Sequence, residues 1–383
     1  MTSQGSSVSF TSLLKQLLLL GSRHWWLSFL IWIVLVGPAQ AAFELRVAIK
    51  DGVNQLNVGS STSAVIKNEA GQQIGQIGPM NSVTAVSGGN GVQLEGYQAG
   101  QIWIEPTGDG TVWIGDRWYR GDTQLVPNGK GLTVINHVDI EDYLYSVVGA
   151  EMYASWPQEA LKSQAVSART YALHKSAKSN SSLYDLDTTT ATQVYKGLNS
   201  ETNTTVQAVD ATRNQVLTYN GEPILAVFHA SSGGHTENVE DIWSNPLPYL
   251  RGVVDYDNDA PVYQWTKNFS RGQMSQLVGG VGTISSITPV KVTPQGRIVT
   301  MKAVGSSGTK EVSGAQLRKV LDLRSTLFSI SVTGDGFQVS GRGFGHGVGL
   351  SQWGARNLAQ QGVPYEQILS HYYQGANLSL LEE

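Results

Sequence analysis

The sequence predicts an α+β protein: a mixed core with a central helix pair and a cleft, β-rich segments around it, and a small β module in front. Three observations carry this expectation. Short apolar runs alternating with polar residues, broken by glycine-rich turns, fill residues 42–118 and return at 283–340. Between them lie two neighbouring stretches with helical spacing. The chain then closes on a glycine loop followed by two short helices.

The first element reads as an export signal. Arg23 and His24 precede the apolar run WWLSFLIWIVLV, and Ala39 and Ala41 stand at the −3 and −1 positions of a small-residue cleavage site. The run is too short to span a bilayer comfortably. Residues 1–41 are therefore a cleaved signal peptide or, helped by LLKQLLLL at 13–20, an uncleaved signal anchor. Either way the expectation is an exported protein of the periplasm or cell envelope, touching a membrane only through this segment and only if it stays uncleaved. FELRVAIK then alternates Phe43, Leu45, Val47 and Ile49 with polar or small residues, the pattern of a half-buried strand. QIWIEP and TVWIGDRWYRG continue in kind, so 42–118 reads as a β module without chemistry of its own.

The texture changes near residue 136. In NHVDIEDYLYSVV, Asp139 is an N-cap candidate with Asp142 three residues on, approximating a capping box, and Gly149 is the expected stop. WPQEALKSQAVSARTYALHKS starts the next helix, with Pro157 in its first turn, Glu159 near its positive end and Lys175 near its close. QVLTYNGEPILAVFH, 215–229, reads as a hairpin around Asn220-Gly221. Near the C-terminus one helix is capped near Ser351 and ended by Gly362, and a second follows Pro364.

Composition excludes several function classes. The net charge is −4 and only 15% of the 383 residues are charged, with no basic block, so nucleic acid is not an expected partner. The absence of cysteine excludes disulfides, thiolate nucleophiles and Cys-bound zinc.

Candidate chemistry begins on the second helix. At 100° per residue, Lys162 and Arg169 point within roughly 20° of each other. They emerge from the apolar face made by Leu161, Ala165, Val166, Ala168, Ala172 and Leu173. Desolvated cations need partners: a ligand in a cleft, or a structural ion pair such as Arg169 with Asp185 or Asp187. Glu151, in the link before this helix, is either a surface carboxylate or a general acid whose pKa is raised by Val147, Val148, Met152 and Trp156. FHASSGGHTENVEDIW places His229, Ser231, Ser232, His235 and Thr236 at the end of a strand. His229 and His235 are metal ligands, a sugar-binding rim or plain loop; two imidazoles alone are a weak metal signal. In GRGFGHGVGLSQ no frame fits G-x-G-x-x-G and no Gly-Lys-Ser/Thr follows. Its alternate glycines let backbone approach another segment, leaving His346, Ser351 and Gln352 to face whatever lies there or to serve the loop itself. Trp156, Tyr195, Trp243, Trp353 and Tyr373 are sugar-stacking candidates or core.

These blocks, with ATQVYKGL and PLPYLRGV, resemble the SpoIID/LytB family, the stage II sporulation protein D type of cell-wall protein. The likeness runs in one order over 119–383 and leaves 1–118 unmatched. It implies a SpoIID-like core and a lytic transglycosylase of peptidoglycan glycan strands, in the best-known members strands stripped of peptide stems. The glutamate of the family's V-x-x-E-M block falls on Glu151, the implied catalytic acid. Gln193 and Tyr195 of ATQVYKGL join Lys162, Arg169, His229, Ser231, Ser232, His235, Thr236, His346, Ser351 and Gln352 as candidate substrate-binding residues. Some members bind zinc near the HASSGGHT segment with cysteine among the ligands; Ser232 stands here where such a cysteine is expected, so no cofactor is expected. The alternative is a non-catalytic glycan-binding enhancer whose partner is a cell-wall amidase. Hydrolysis of a glycosidic bond usually takes two carboxylates, and Glu159, Glu141 and Asp142 all belong to the flanking helices. A lytic cleavage needs only one.

Overall fold

The structure, a computed structural model, describes residues 43–89, 91–188, 193–243 and 245–381. The expected export signal at 1–41 lies outside the described residues. Strands and helices mix as an α+β protein requires.

Leu45, Val47 and Ile49 are buried on the strand Glu44–Val53, as their alternation demands. That strand pairs antiparallel with Leu132–Asp139, placing Glu44 opposite Asp139. Both lie in a seven-stranded sheet that continues through Asp122–Pro127, Ile102–Pro106, Ala64–Asn68 and Gln73–Ile77, with Leu186–Asp187 on the other edge. A six-stranded sheet drawn from residues 55–119 shares its apolar core. Strands from both sides of residue 118 thus belong to one sheet, because the first strand closes on the one that leads into the first helix.

Helix α1, Ile140–Glu151, starts at Asp139, whose carboxylate accepts from the Glu141 N–H at 2.8 Å. The bond goes to the second helical residue, so the expected capping box with Asp142 does not form. Gly149 lies inside the helix and does not end it. A Cβ there would come within 1.9 Å of the Ser200 carbonyl oxygen, so the glycine serves close packing. Helix α2, Gln158–Ala177, begins after Pro157, which takes the N-cap position. Helix α3, Asn203–Asp210, carries a reciprocal Thr202/Thr205 capping box. In the hairpin of Gln215–Tyr219 and Glu222–Pro223, Asn220 and Gly221 have φ of 54° and 85°. Positive φ at both central residues is what this two-residue turn needs, though the second arm is very short. Helix α4, Val239–Ile242, is a single turn.

A second core gathers residues between Trp265 and Val339. It combines α5 (Arg271–Val278), α6 (Gly314–Val320) and two three-stranded sheets. Arg297 links the two cores: fully buried, it donates to the Ser232 carbonyl at 2.5 Å, with Glu237 3.8 Å away. Helices α7, Gln352–Gln360, and α8, Tyr365–Tyr372, return to the main core against α2. Ser351 caps α7 by accepting from the Gly354 N–H at 3.3 Å. Among the described residues no helix is long and apolar enough to cross a membrane.

Candidate functional site

The last residue of α1 opens onto a cavity of about 640 Å³. Glu151 is the one carboxyl among the described residues that line it. Its Oε1 accepts from the Val194 N–H at 3.2 Å and its Oε2 from the Gln352 side-chain amide at 3.4 Å. Loss of water around the half-buried carboxyl lifts its pKa above the usual range, against the pull of those two donors and of Lys196. The C-terminal end of a helix acts in the same direction, since it disfavours negative charge.

Another wall is the glycine loop pressed against the segment after the hairpin. Phe228–His229 pairs in parallel with Leu350–Ser351, and Ser231 bridges Phe344. The alternate glycines permit this approach. A Cβ on Gly345 would lie 2.6 Å from that of His229, and one on Gly349 2.2 Å from the Val227 carbonyl oxygen. His346 lines the cavity with its Nε2 bonded to the Phe228 carbonyl at 2.9 Å, while its Nδ1 accepts from the Val348 N–H. Burial pushes its pKa down to about 4 and that of His229 well below the usual range, so both rings are neutral at neutral pH. His229 bonds the Val348 carbonyl through Nδ1, and its buried Nε2 has no partner among the described residues. Trp243 and Phe344, 41% and 43% exposed, present flat apolar faces. Lys175 is the one Lys or Arg among the described lining residues.

Residues 128–219 match the family described as Stage II sporulation protein, SpoIID. Stage II sporulation protein D of Bacillus subtilis is 36% identical over 266 residues, covering 64% of this chain and 76% of that protein. The chain belongs to the SpoIID family. An uncharacterized protein of Brachyspira hyodysenteriae is 31% identical over 326 residues, 83% of this chain and 82% of its own. The amidase enhancer of Bacillus subtilis is 32% identical over 291 residues, 62% of this chain and 40% of that protein. The SpoIID match includes Glu151 and Gln193; residues 250–349, with His346, match a domain of unknown function, DUF8618.

In this SpoIID-family chain, Glu151, Gln193, His229, His346 and Gln352 meet around one cavity. Of the stacking candidates Trp243 joins them, and the other candidates do not line it. Arg169 is fully buried and donates to both carboxylate oxygens of Glu141, at 2.8 and 2.5 Å. The ion-pair reading thus holds with a different partner, since Asp185 instead pairs with Arg46. Lys162 pairs with Glu159 at 2.8 Å, over the Tyr365 ring. Tyr195 and Tyr373 are core, their hydroxyls donating to the Asn136 side chain and the Val227 carbonyl. Ser231 and Ser232 donate to Asp257 and Asp255, fixing their loop. Thr236 accepts from the Val253 N–H, and Ser351 is a helix cap. His235 turns to the Thr236 carbonyl, away from the cavity lining. Among the described residues no three His, Asp or Glu side chains gather as a metal site. Sequence reasoning gave Lys175, Tyr171, Phe228 and Phe344 no role in the cleft. Only Phe344 carried a signal, as a large apolar residue between two loop glycines.

Proposed function

We propose that this protein is a lytic transglycosylase of peptidoglycan glycan strands, with Glu151 as its single acid and base. SpoIID membership and the amidase-enhancer relative support a role at the cell wall. The finer reading rests on one observation: a lone, half-buried carboxyl of raised pKa faces a cavity bordered by aromatic side chains. Hydrolysis by the two-carboxylate routes lacks its second group, as no other Asp or Glu lines the cavity among the described residues.

The cleavage needs no water. Protonated Glu151 gives its proton to the glycosidic oxygen as the bond from that oxygen to the anomeric carbon of the muramic residue breaks. The resulting carboxylate takes the proton of that sugar's own 6-hydroxyl, whose oxygen bonds to the anomeric carbon. The products are a shortened strand with a free hydroxyl end and a 1,6-anhydromuramic end, and Glu151 is protonated again. The tethered nucleophile gains from proximity. Trp243 and Phe344 offer stacking faces, Lys175 a charge for an anionic substituent, and the neutral His346 and His229 hydrogen bonding. Such a substrate is consistent with an exported protein of the cell envelope.

The test is digestion of purified glycan strands by wild type and Glu151→Gln, with ends read by mass spectrometry. Wild type should produce 1,6-anhydro ends and the variant almost none while still binding strands. Strand binding by wild type with no new ends would leave a binding role in place of the enzyme.

A further inference from the structure

Beside the cavity lies an aromatic row that the cleavage chemistry does not use. Tyr153 packs on Trp156 with ring centroids 5.5 Å apart, and Trp156 meets Trp353 edge-on at 4.9 Å. The guanidinium of Arg356 closes the far end, 5.0 Å from the Trp353 ring centre. Both ends of the row are tied to the site through the backbone. Tyr153 follows Glu151 by two residues, and Trp353 follows Gln352, the donor to Glu151. The backbone N–H of Trp353 also donates to the carbonyl of Ala230, itself a lining residue.

Tyr153 is 65% exposed, although its neighbours in the row are half-buried. A core role would bury that ring, and among the described residues its hydroxyl has no partner to hold it out in solvent. We propose that Tyr153, supported by Trp156 and Trp353, is a stacking subsite for sugar rings of a glycan strand beyond the cavity. The inference rests on the proposed glycan substrate. A cavity of about 640 Å³ is the size that holds a drug-sized ligand, so a polymer leaves it and runs along the adjoining surface. The CH-rich faces of pyranose rings match flat aromatic faces, and a ring already braced by Trp156 loses little freedom on binding.

The test uses Glu151→Gln, so that strands are bound and not cut, and compares it with Glu151→Gln/Tyr153→Ala and Glu151→Gln/Tyr153→Phe. Affinities for long purified strands and for a short oligosaccharide from the same strands are measured by titration calorimetry. The alanine variant should lose about five- to tenfold more affinity for long strands than for the oligosaccharide, and the phenylalanine variant should recover it. Equal affinity of the alanine variant and its parent for long strands overturns the subsite alone, as does an equal loss for both ligands. No glycan binding by the parent overturns both the subsite and the substrate reading.

Discussion

Glu141 and Glu151 sit at opposite ends of α1, and the helix treats them oppositely. Glu141 is in the first turn, where the helix favours negative charge. Arg169 grips both its oxygens and the Asn214 N–H adds a third bond. Arg169 in turn donates to the Gln215 carbonyl at 3.0 Å, so the pair joins α1, α2 and the strand after α3. Glu151 is in the last turn, with two long hydrogen bonds and no salt-bridge partner among the described residues. One carboxylate is satisfied and therefore structural. The other is held where its charged form is disfavoured, which is the state an acid catalyst needs.

The largest expected difference is in chemistry. Glu151→Gln should lower the rate of anhydro-end formation by about 10²- to 10⁴-fold, the usual worth of a positioned acid–base group. Glu141→Gln should leave the rate per folded molecule close to wild type. A large loss of rate in folded Glu141→Gln would break the distinction between the two ends.

Stability should show the converse. Arg169→Met strands a buried carboxylate, which costs about 3–5 kcal/mol. Adding Glu141→Gln should return much of that, because the pair is coupled. Lys162→Gln removes a half-exposed contact with Glu159, and about 1 kcal/mol or less is expected. Urea unfolding of these variants checks all three, and similar losses for Arg169→Met and Lys162→Gln would contradict the assignment.

That contrast also marks how far the sequence could be read. Helical spacing placed Lys162 and Arg169 on one azimuth of α2, and desolvation required each to have a partner. It did not say which. The acids weighed for Arg169 were Asp185 and Asp187, whereas the actual partner, Glu141, comes from the first turn of α1. The cap at Asp139, the turn at Asn220-Gly221 and the close approach of the 343–349 loop were legible because backbone geometry constrains local residue choice. The joining of the N-terminal strands to the helical region was not. It depends on Glu44–Val53 pairing with the distant strand Leu132–Asp139, and strand alternation carries no partner information. Lys175 was hidden for a similar reason: a cation near a helix end is already explained by the helix.

A smaller effect is expected in the pH dependence of stability. Glu151 has a folded pKa above its unfolded one, so its contribution is fully present below the ordinary glutamate value, about 4.3. It is lost as pH rises through the raised folded value. A glutamine amide at this position cannot ionise. Glu151→Gln should therefore melt higher than wild type at pH 7, with the advantage shrinking on acidification toward pH 4. A variant that melts lower at pH 7, or an advantage that grows in acid, would place Glu151 with the satisfied carboxylates.

The smallest effect tests what limits that shift. The Gln352 amide nitrogen lies 3.4 Å from Glu151 Oε2 and 3.4 Å from Gln164 Oε1. Gln164 is fully buried, and its own amide nitrogen has no partner among the described residues. Its oxygen holds the Gln352 NH₂ group as a donor toward the carboxylate, partly offsetting burial. Gln352→Met removes that donor with little change in volume, so the Glu151 pKa should rise further. Activity that requires protonated Glu151 falls on the alkaline side, and this limb of kcat/KM should move to higher pH. Gln164→Met should move it the same way by less, since Gln352 keeps its amide but loses the group that orients it. A shift to lower pH in Gln352→Met would mean that the amide presents its oxygen, accepting a hydrogen bond from the O–H of the acid form instead of stabilising the anion.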